Sequence, residues 1–267
     1  MAFYLIGIGM NKKSIGADAL ETLKACNKIY LENYTVNFPY TIKELQISVG
    51  LKIEPLDRSK VEGLDFLDEA KKKDVALLVY GDALSATTHI TIIQECRKRD
   101  IEYKVFHNAS ILTAISETGL QLYKFGKTAS MPNWEEHTNK PTSFMNYIKE
   151  NQSIKAHTLL LTDIGLELKD VINQLQEAEK LSIEDDTKLF APRSANAREQ
   201  SKNKRATARQ LIPKKIIVVS NAGTENQKIF YETLKNLKDK NIKMPFCLII
   251  PGEMHFIEEE ALEEIKE

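Results

Sequence analysis

Apolar residues gather along this chain in short runs that end at small or polar residues. The clearest runs from Val75 to Tyr80, where Gly81 and Asp82 break it. A run without alternation marks a strand covered on both faces, as in a parallel sheet. Behind it, Ser85, Thr87 and Thr88 offer hydroxyls where a helix would begin. Tyr103–His107 repeats the plan, and Asn108, Ala109 and Ser110 lead into a helical apolar period. Phe3–Ile8 reads as a first strand, with Gly7 and Gly9 permitting a tight turn after it. Helices are also expected over 17–27, 43–49 and 88–99, and strands at 29–32 and near 51–55. This alternation predicts a mostly parallel sheet with helices on its faces. Adjacent strand-end loops at the C-terminal edge of such a sheet form the usual crevice for a small ligand.

A second set follows: helix 110–120, strand 157–162, a charged helix near 167–180, strand 215–219, helix 226–238 and strand 246–250. The break near 108–112 divides the chain into two α/β domains, 1–109 and 110–267. Inside the second, the segment 193–215 holds eight Lys or Arg against one Glu and few large apolar residues. It reads either as a solvated insertion or as a basic arm for a macromolecular partner.

Composition narrows the class. The chain has 267 residues, of which 42% are hydrophobic and 28% charged, as in an ordinary globular protein. A net charge of −1 gives no global attraction to nucleic acid or to an acidic membrane. No apolar run approaches the roughly 20 residues that span a bilayer. The start, MAFYLIGIG, lacks a basic leader region and turns at glycine, so it reads as a strand and not a signal peptide. Cys26, Cys96 and Cys247 are odd in number and widely spaced, which fits reduced thiols in the cytoplasm.

Candidate chemistry is sparse. Gly7 and Gly9 form G-x-G, but Lys12 stands where a dinucleotide fingerprint requires a small residue. A tight turn explains these glycines as well as ligand contact does. Asp82, directly behind a buried strand, either caps the next helix or faces the crevice. His89 and His107 lack a partner at metal-ligand spacing. There is no G-x-S-x-G elbow, no P-loop and no pair of carboxylates at acid/base spacing.

Several blocks carry a family resemblance. GDALSATTH at 81–89 resembles the GDPL-x-ATTH segment of the diphthine synthases. These belong to the tetrapyrrole-methylase superfamily of class III S-adenosylmethionine (SAM) methyltransferases. HNASILTAISETGLQLYKFGKT from 107, YLIGIGM from 4, NAGTENQKI from 221 and LIIPGEMHFIEEEAL from 248 are similar to further blocks of that family. The likeness covers about 1–165 and 215–265, and it does not extend through the basic segment.

This resemblance implies two αβα domains with SAM in the cleft between them. It implies cofactor contacts at Met10, Asp82, Ser85, Ser110, Ile111, Leu161, Ala222 and His255. Met10 stands where the family usually has Leu, and Ala83 where it has Pro. Each position also has a plainer reading: a cap at Ser110, core at Leu161, a structural histidine at His255. The implied acceptor is the modified histidine of elongation factor 2, whose 3-amino-3-carboxypropyl amine is methylated repeatedly. Eukaryotic members also esterify the carboxylate, whereas archaeal ones stop at the trimethylammonium. A homodimer is implied as well. In-line transfer of an already activated methyl needs mainly positioning and a deprotonated nucleophile, which suits a site without a triad or metal. The alternatives are a tetrapyrrole or ribosomal RNA methylase of the same fold, or a non-catalytic binding module.

Overall fold

The computed structural model describes residues 1–189 and 210–265. Of the basic segment, 193–209 therefore lies outside the described residues. The chain divides into two compact units. One comprises Met1–Ile115 with Asn221–Gln227, and the other Ser116–Ser220 with Lys228–Glu267. The expected boundary at 109/110 thus stands just before the short helix Ile111–Ala114, which packs with the first unit, as does the returning segment 221–227.

The first unit is built on five parallel strands: β1 (Phe3–Gly7), β2 (Lys28–Glu32), β3 (Glu54–Leu56), β4 (Val75–Val79) and β5 (Tyr103–Phe106), in the order β3-β2-β4-β1-β5. Side chains of a strand alternate between faces, and here both faces are dry. Phe3, Leu5, Val75, Leu77 and Val79 join a core with Ile92, Ile93 and Cys96 of helix Ile90–Lys98. Ile6, Ala76, Leu78 and Leu31 join another with Ala19 and Leu23 of helix Ala17–Ala25 and Leu45 of helix Ile42–Val49. Covering both faces is why Val75–Val79 reads as an unbroken apolar run, and all five of its residues are buried.

The strand order fixes where a ligand would sit. From β1 the chain departs toward β2 on one side, whereas from β4 it crosses β1 to reach β5 on the other. The adjacent ends of β1 and β4 are therefore a topological switch point, where the connections part and leave a crevice.

The second unit carries β6 (Ala129–Met131), β7 (Thr158–Thr162), β8 (Lys215–Ser220), β9 (Lys228–Thr233) and β10 (Phe246–Ile250) in the order β6-β7-β10-β8-β9. Among the described strands of this unit, only β6 and β7 pair in parallel; the other pairs are antiparallel. Its core gathers Met131, Leu160, Ile216, Val218, Leu248 and Ile250 against Phe144, Met145 and Ile148 of helix Ser143–Ser153. Leu168, Val171, Ile172, Leu175 and Ala178 complete it at helical spacing. Their helix, Leu168–Leu189, runs past the expected end near 180.

Two expectations need correction. The stretch 226–238 is not one helix: Lys228–Thr233 is a strand and only Leu234–Lys238 is helical. A six-residue ladder with β8, from Lys215↔Thr233 to Ser220↔Lys228, captures the aromatic and β-branched residues Ile229, Phe230 and Tyr231. Helix 110–120 is also shorter than expected. It is α-helical over Ile111–Ala114 and a 3-10 turn over Ile115–Thr118, and Gly119 follows at φ +83°. Among the described residues no helix is long and apolar enough to cross a membrane.

Candidate functional site

At the switch point, one carboxylate ties two strand-end loops together, and a neighbouring asparagine joins a third. Asp82 lies behind β4 and its side chain is only 7% exposed. Oδ1 accepts from the Leu84 N–H at 2.9 Å and the Ser85 hydroxyl at 3.1 Å. Oδ2 accepts from His107 Nδ1 at 2.8 Å and the Asn108 N–H at 3.1 Å. The first pair closes the turn after β4, and the second reaches across β1 to the end of β5. Burial by itself would raise the Asp82 carboxyl, but the donors from Leu84, Asn108, His107 and Ser85 outweigh it and hold the group below its usual range. The acid therefore stays ionised at neutral pH.

Asn108 extends the tie to the loop after β1. Its Nδ2 donates to the carbonyls of Gly7 at 3.1 Å and Ser14 at 2.9 Å. Gly9 and Gly81 exchange backbone hydrogen bonds, both 3.0 Å. Gly9 has φ +71°, and a Cβ there would stand 2.6 Å from that of Ser14 and 2.9 Å from Asn108 Oδ1. The G-x-G is therefore first a packing requirement, the plainer of its two readings.

Met10 is buried next to this tie. The Tyr80 hydroxyl donates to its carbonyl at 3.1 Å, and its side chain meets the 221–223 loop. Gly223 has φ +71°, and a Cβ would fall 2.6 Å from that of Met10. Gly223→Ala should combine left-handed strain with overpacking and destabilise by about 2 kcal/mol. Urea titration measures this. A loss of only about 1 kcal/mol would reflect the strain alone and mean that Met10 yields freely.

The structure thus brings Met10, Asp82, Ser85, Ser110, Ile111 and Ala222 into one unit. Ser110 is buried and starts the short helix, its N–H donating to Thr113 Oγ1 at 3.2 Å. Ile111 is half-buried and Ala222 buried. His89 is also buried; its Nδ1–H donates to the Ala83 carbonyl at 3.2 Å, where Thr87 Oγ1 donates too at 2.8 Å. The threonine and histidine of ATTH thereby fold the loop onto itself.

Leu161 and His255 belong to the second unit. Leu161, near the end of β7, is half-buried, whereas Leu159 and Leu160 are buried. His255 is exposed and caps helix Phe256–Glu263. That helix holds a feature the sequence reasoning missed, the fully buried Glu258. It accepts from Gln121 N–H at 2.9 Å, His255 N–H at 2.7 Å, His157 Nε2 at 3.2 Å and the Lys124 ammonium. His157, also fully buried, takes the Gly252 N–H on Nδ1 at 2.9 Å.

His107 and Asn108 were equally unassigned as partners of Asp82. A polar His-Asn pair directly behind a strand, one crossover from a buried aspartate, was the available signal. The Nδ1–H donation leaves the lone pair of a neutral His107 ring on Nε2, and the ring is 69% exposed.

Comparisons with known proteins bear on this site. Residues 2–238 match the family model of tetrapyrrole (corrin/porphyrin) methylases. The chain is 35% identical to the diphthine methyl ester synthase of Schizosaccharomyces pombe, covering 97% of this chain and 93% of the relative. It is 34% identical to the diphthine synthase of Methanococcus maripaludis, covering 97% and 96%. The crystal structure of a protein described as a diphthine synthase from Entamoeba histolytica superposes with a TM-score of 0.81 at 33% identity, covering 100% of this chain and 98% of that one. Another diphthine synthase crystal structure gives 0.80 at 28% identity, covering 99% and 96%. With a family model spanning most of its length and relatives matched nearly end to end, this chain belongs to the tetrapyrrole (corrin/porphyrin) methylase family, among the diphthine synthases.

Proposed function

We propose that the protein is a SAM-dependent methyltransferase of diphthamide biosynthesis that repeatedly methylates the amine on the modified histidine of elongation factor 2. One observation carries the reading: GDALSATTH lies at the switch point of a parallel sheet, its Asp82 tying the loops after β4 and β5, in a chain matched nearly end to end with diphthine synthases.

The residues fit the cofactor chemically. When bound, SAM supplies an activated methyl on a sulfonium, and it also carries an ammonium, so it favours negative potential. The tied loops offer an ionised, buried Asp82 and apolar Met10 and Ile111, and among the described residues no Lys or Arg bonds to Asp82. We assign cofactor contacts to Met10, Asp82, Ser85, Ser110, Ile111 and Ala222, and include Leu161 and His255 of the second unit. Asp82 already receives four donors, about the full capacity of a carboxylate. Beside its cofactor contact, it therefore holds the loops in place and sets the local potential. With SAM bound, the apolar side chains would keep water from the reacting atoms, and the loops would position the acceptor nitrogen for transfer. The enzyme works in the cytoplasm as a homodimer in this reading.

S-adenosylhomocysteine at a hundredfold excess over its Kd should stabilise the fold by about 2.7 kcal/mol, read as a rise in melting temperature. Elongation factor 2 carrying the unmethylated intermediate should gain mass in methyl steps when incubated with enzyme and SAM. A thermal shift without that gain would move the acceptor to another substrate of the family. Absence of both would end the reading.

A further inference from the structure

Repeated methylation of an amine raises a proton problem that positioning alone does not solve. At neutral pH an aliphatic amine is mostly an ammonium with no lone pair to attack a methyl. Every transfer onto an N–H-bearing nitrogen must therefore be preceded by loss of one proton. A base beside the cofactor loops would meet that need, and it should be oriented by a second group.

We propose that His107 is the general base of this reaction and that Asp82 is its positioning partner. This inference rests on the function proposed above. Four observations support it. Nδ1 of His107 lies 2.8 Å from Asp82 Oδ2, and a carboxylate can only accept there, so Nδ1 carries the hydrogen. The lone pair of the neutral ring is consequently on Nε2. The carboxylate is 7% exposed while the His107 side chain is 69% exposed, so the anchor is fixed and the working end is open to a substrate. Finally, His107 stands three positions before Ser110 on the same strand-end loop that closes the switch point, so the base and the proposed cofactor contacts share one support.

His89 is the other histidine of the first unit's loops, and it is not available for this role. It is buried, and its Nδ1 is engaged with the Ala83 carbonyl. Imidazole is also the side chain that takes up and releases a proton most readily near neutral pH.

The step balances. An N–H bond of the acceptor ammonium breaks as an N–H bond forms on His107 Nε2. The freed nitrogen lone pair forms the new N–C bond, and the C–S electron pair leaves with sulfur, giving neutral S-adenosylhomocysteine. The imidazolium, held by the negative Asp82, then releases its proton to water. Each round onto an N–H-bearing nitrogen thus discharges one proton.

The test uses the whole enzyme, SAM and elongation factor 2 carrying the unmethylated intermediate, with His107→Ala and His107→Gln. At pH 7 both variants should lose about a hundredfold in kcat/KM. The defect should shrink as the pH rises into the alkaline range, where the amine loses its proton unaided, and added imidazole should restore part of the rate of His107→Ala. The melting-temperature rise with S-adenosylhomocysteine should persist in both, which separates lost chemistry from a damaged fold. A defect of constant size at every pH that imidazole does not relieve would overturn the proposal, as would kinetics equal to the parent. Failure of the parent enzyme itself to methylate the factor would sink the functional reading, and this inference with it, in an assay that needs no variant.

Discussion

Glu258→Ala should lower the unfolding free energy by about 3–5 kcal/mol, as removal of one partner of a buried ion pair does. Glu258 is fully buried and serves four donors: the Gln121 and His255 N–H groups, His157 Nε2 and the Lys124 ammonium. Alanine would leave the two backbone N–H groups and His157 Nε2 without this acceptor, while Lys124 would keep only the Glu253 carbonyl at 2.8 Å. The group also gives acid lability with a definite sign. Burial would raise its carboxyl, but the donors, Lys124 foremost, bring it down from 4.5 to about 2. A carboxyl depressed in the folded state stabilises above its unfolded pKa and loses that contribution as pH falls through the folded one. The window is therefore about 4.5 to 2, and the loss across it is about 3 kcal/mol at most. His157 adds in the same direction at higher pH. Burial lowers it below 6.5 against the pull of Glu258, so acid begins to favour the unfolded chain below 6.5. Melting temperatures between pH 7.5 and 3 should fall steeply in the parent and less so in Glu258→Gln. Parallel curves would show that the titration lies elsewhere.

Asp82→Ala should show the next largest effect, and on two readouts together. Four donors lose their acceptor, two of them backbone N–H groups, for a loss of about 2–3 kcal/mol in fold stability. The melting-temperature rise with S-adenosylhomocysteine should nearly vanish, because the loops after β4 and β5 lose their common tie. Asp82→Asn is the sharper probe. Its carboxamide keeps one oxygen for one pair of donors but turns an NH2 group on the other pair. It should therefore recover only part of the stability, and none of the ionic support for His107. An Asn variant with parent-like response to S-adenosylhomocysteine would remove the charge of Asp82 from cofactor binding. Since the Asp82 carboxyl is also held low, its contribution too is present above 3.8 and lost as pH falls below it.

The first unit was legible because its strands are short apolar runs covered on both faces and stopped by glycine or a polar residue. Val75–Val79 and Phe3–Gly7 carry that mark without ambiguity. The second unit was harder. In 226–238, Phe230, Leu234 and Leu237 fall at helical spacing, while the ladder with β8 that makes Lys228–Thr233 a strand involves residues outside that window. Three-residue β6 is too short to leave a periodic signal. At the site, Asp82 and Ser85 could be located from the loop that carries them. That His107 and Asn108 bond to the same carboxylate could not, because it depends on β1 lying between β4 and β5. Glu258 escaped notice for a similar reason: its partners at 121, 124 and 157 lie more than a hundred residues upstream.

The return of Asn221–Gln227 to the first unit has a consequence for synthesis. A chain emerges from the ribosome N-terminus first, at about 5–20 residues per second, and domains generally fold as they emerge. Residues 1–115 can assemble their parallel sheet early, but the loop that presses on Met10 appears only after residue 220. For roughly ten seconds, at those rates, the nascent protein holds a sheet whose Met10 lacks this cover. A chaperone or a protease meeting the nascent chain in that interval would find Met10 open on that side, and a message truncated before codon 221 would leave it so permanently.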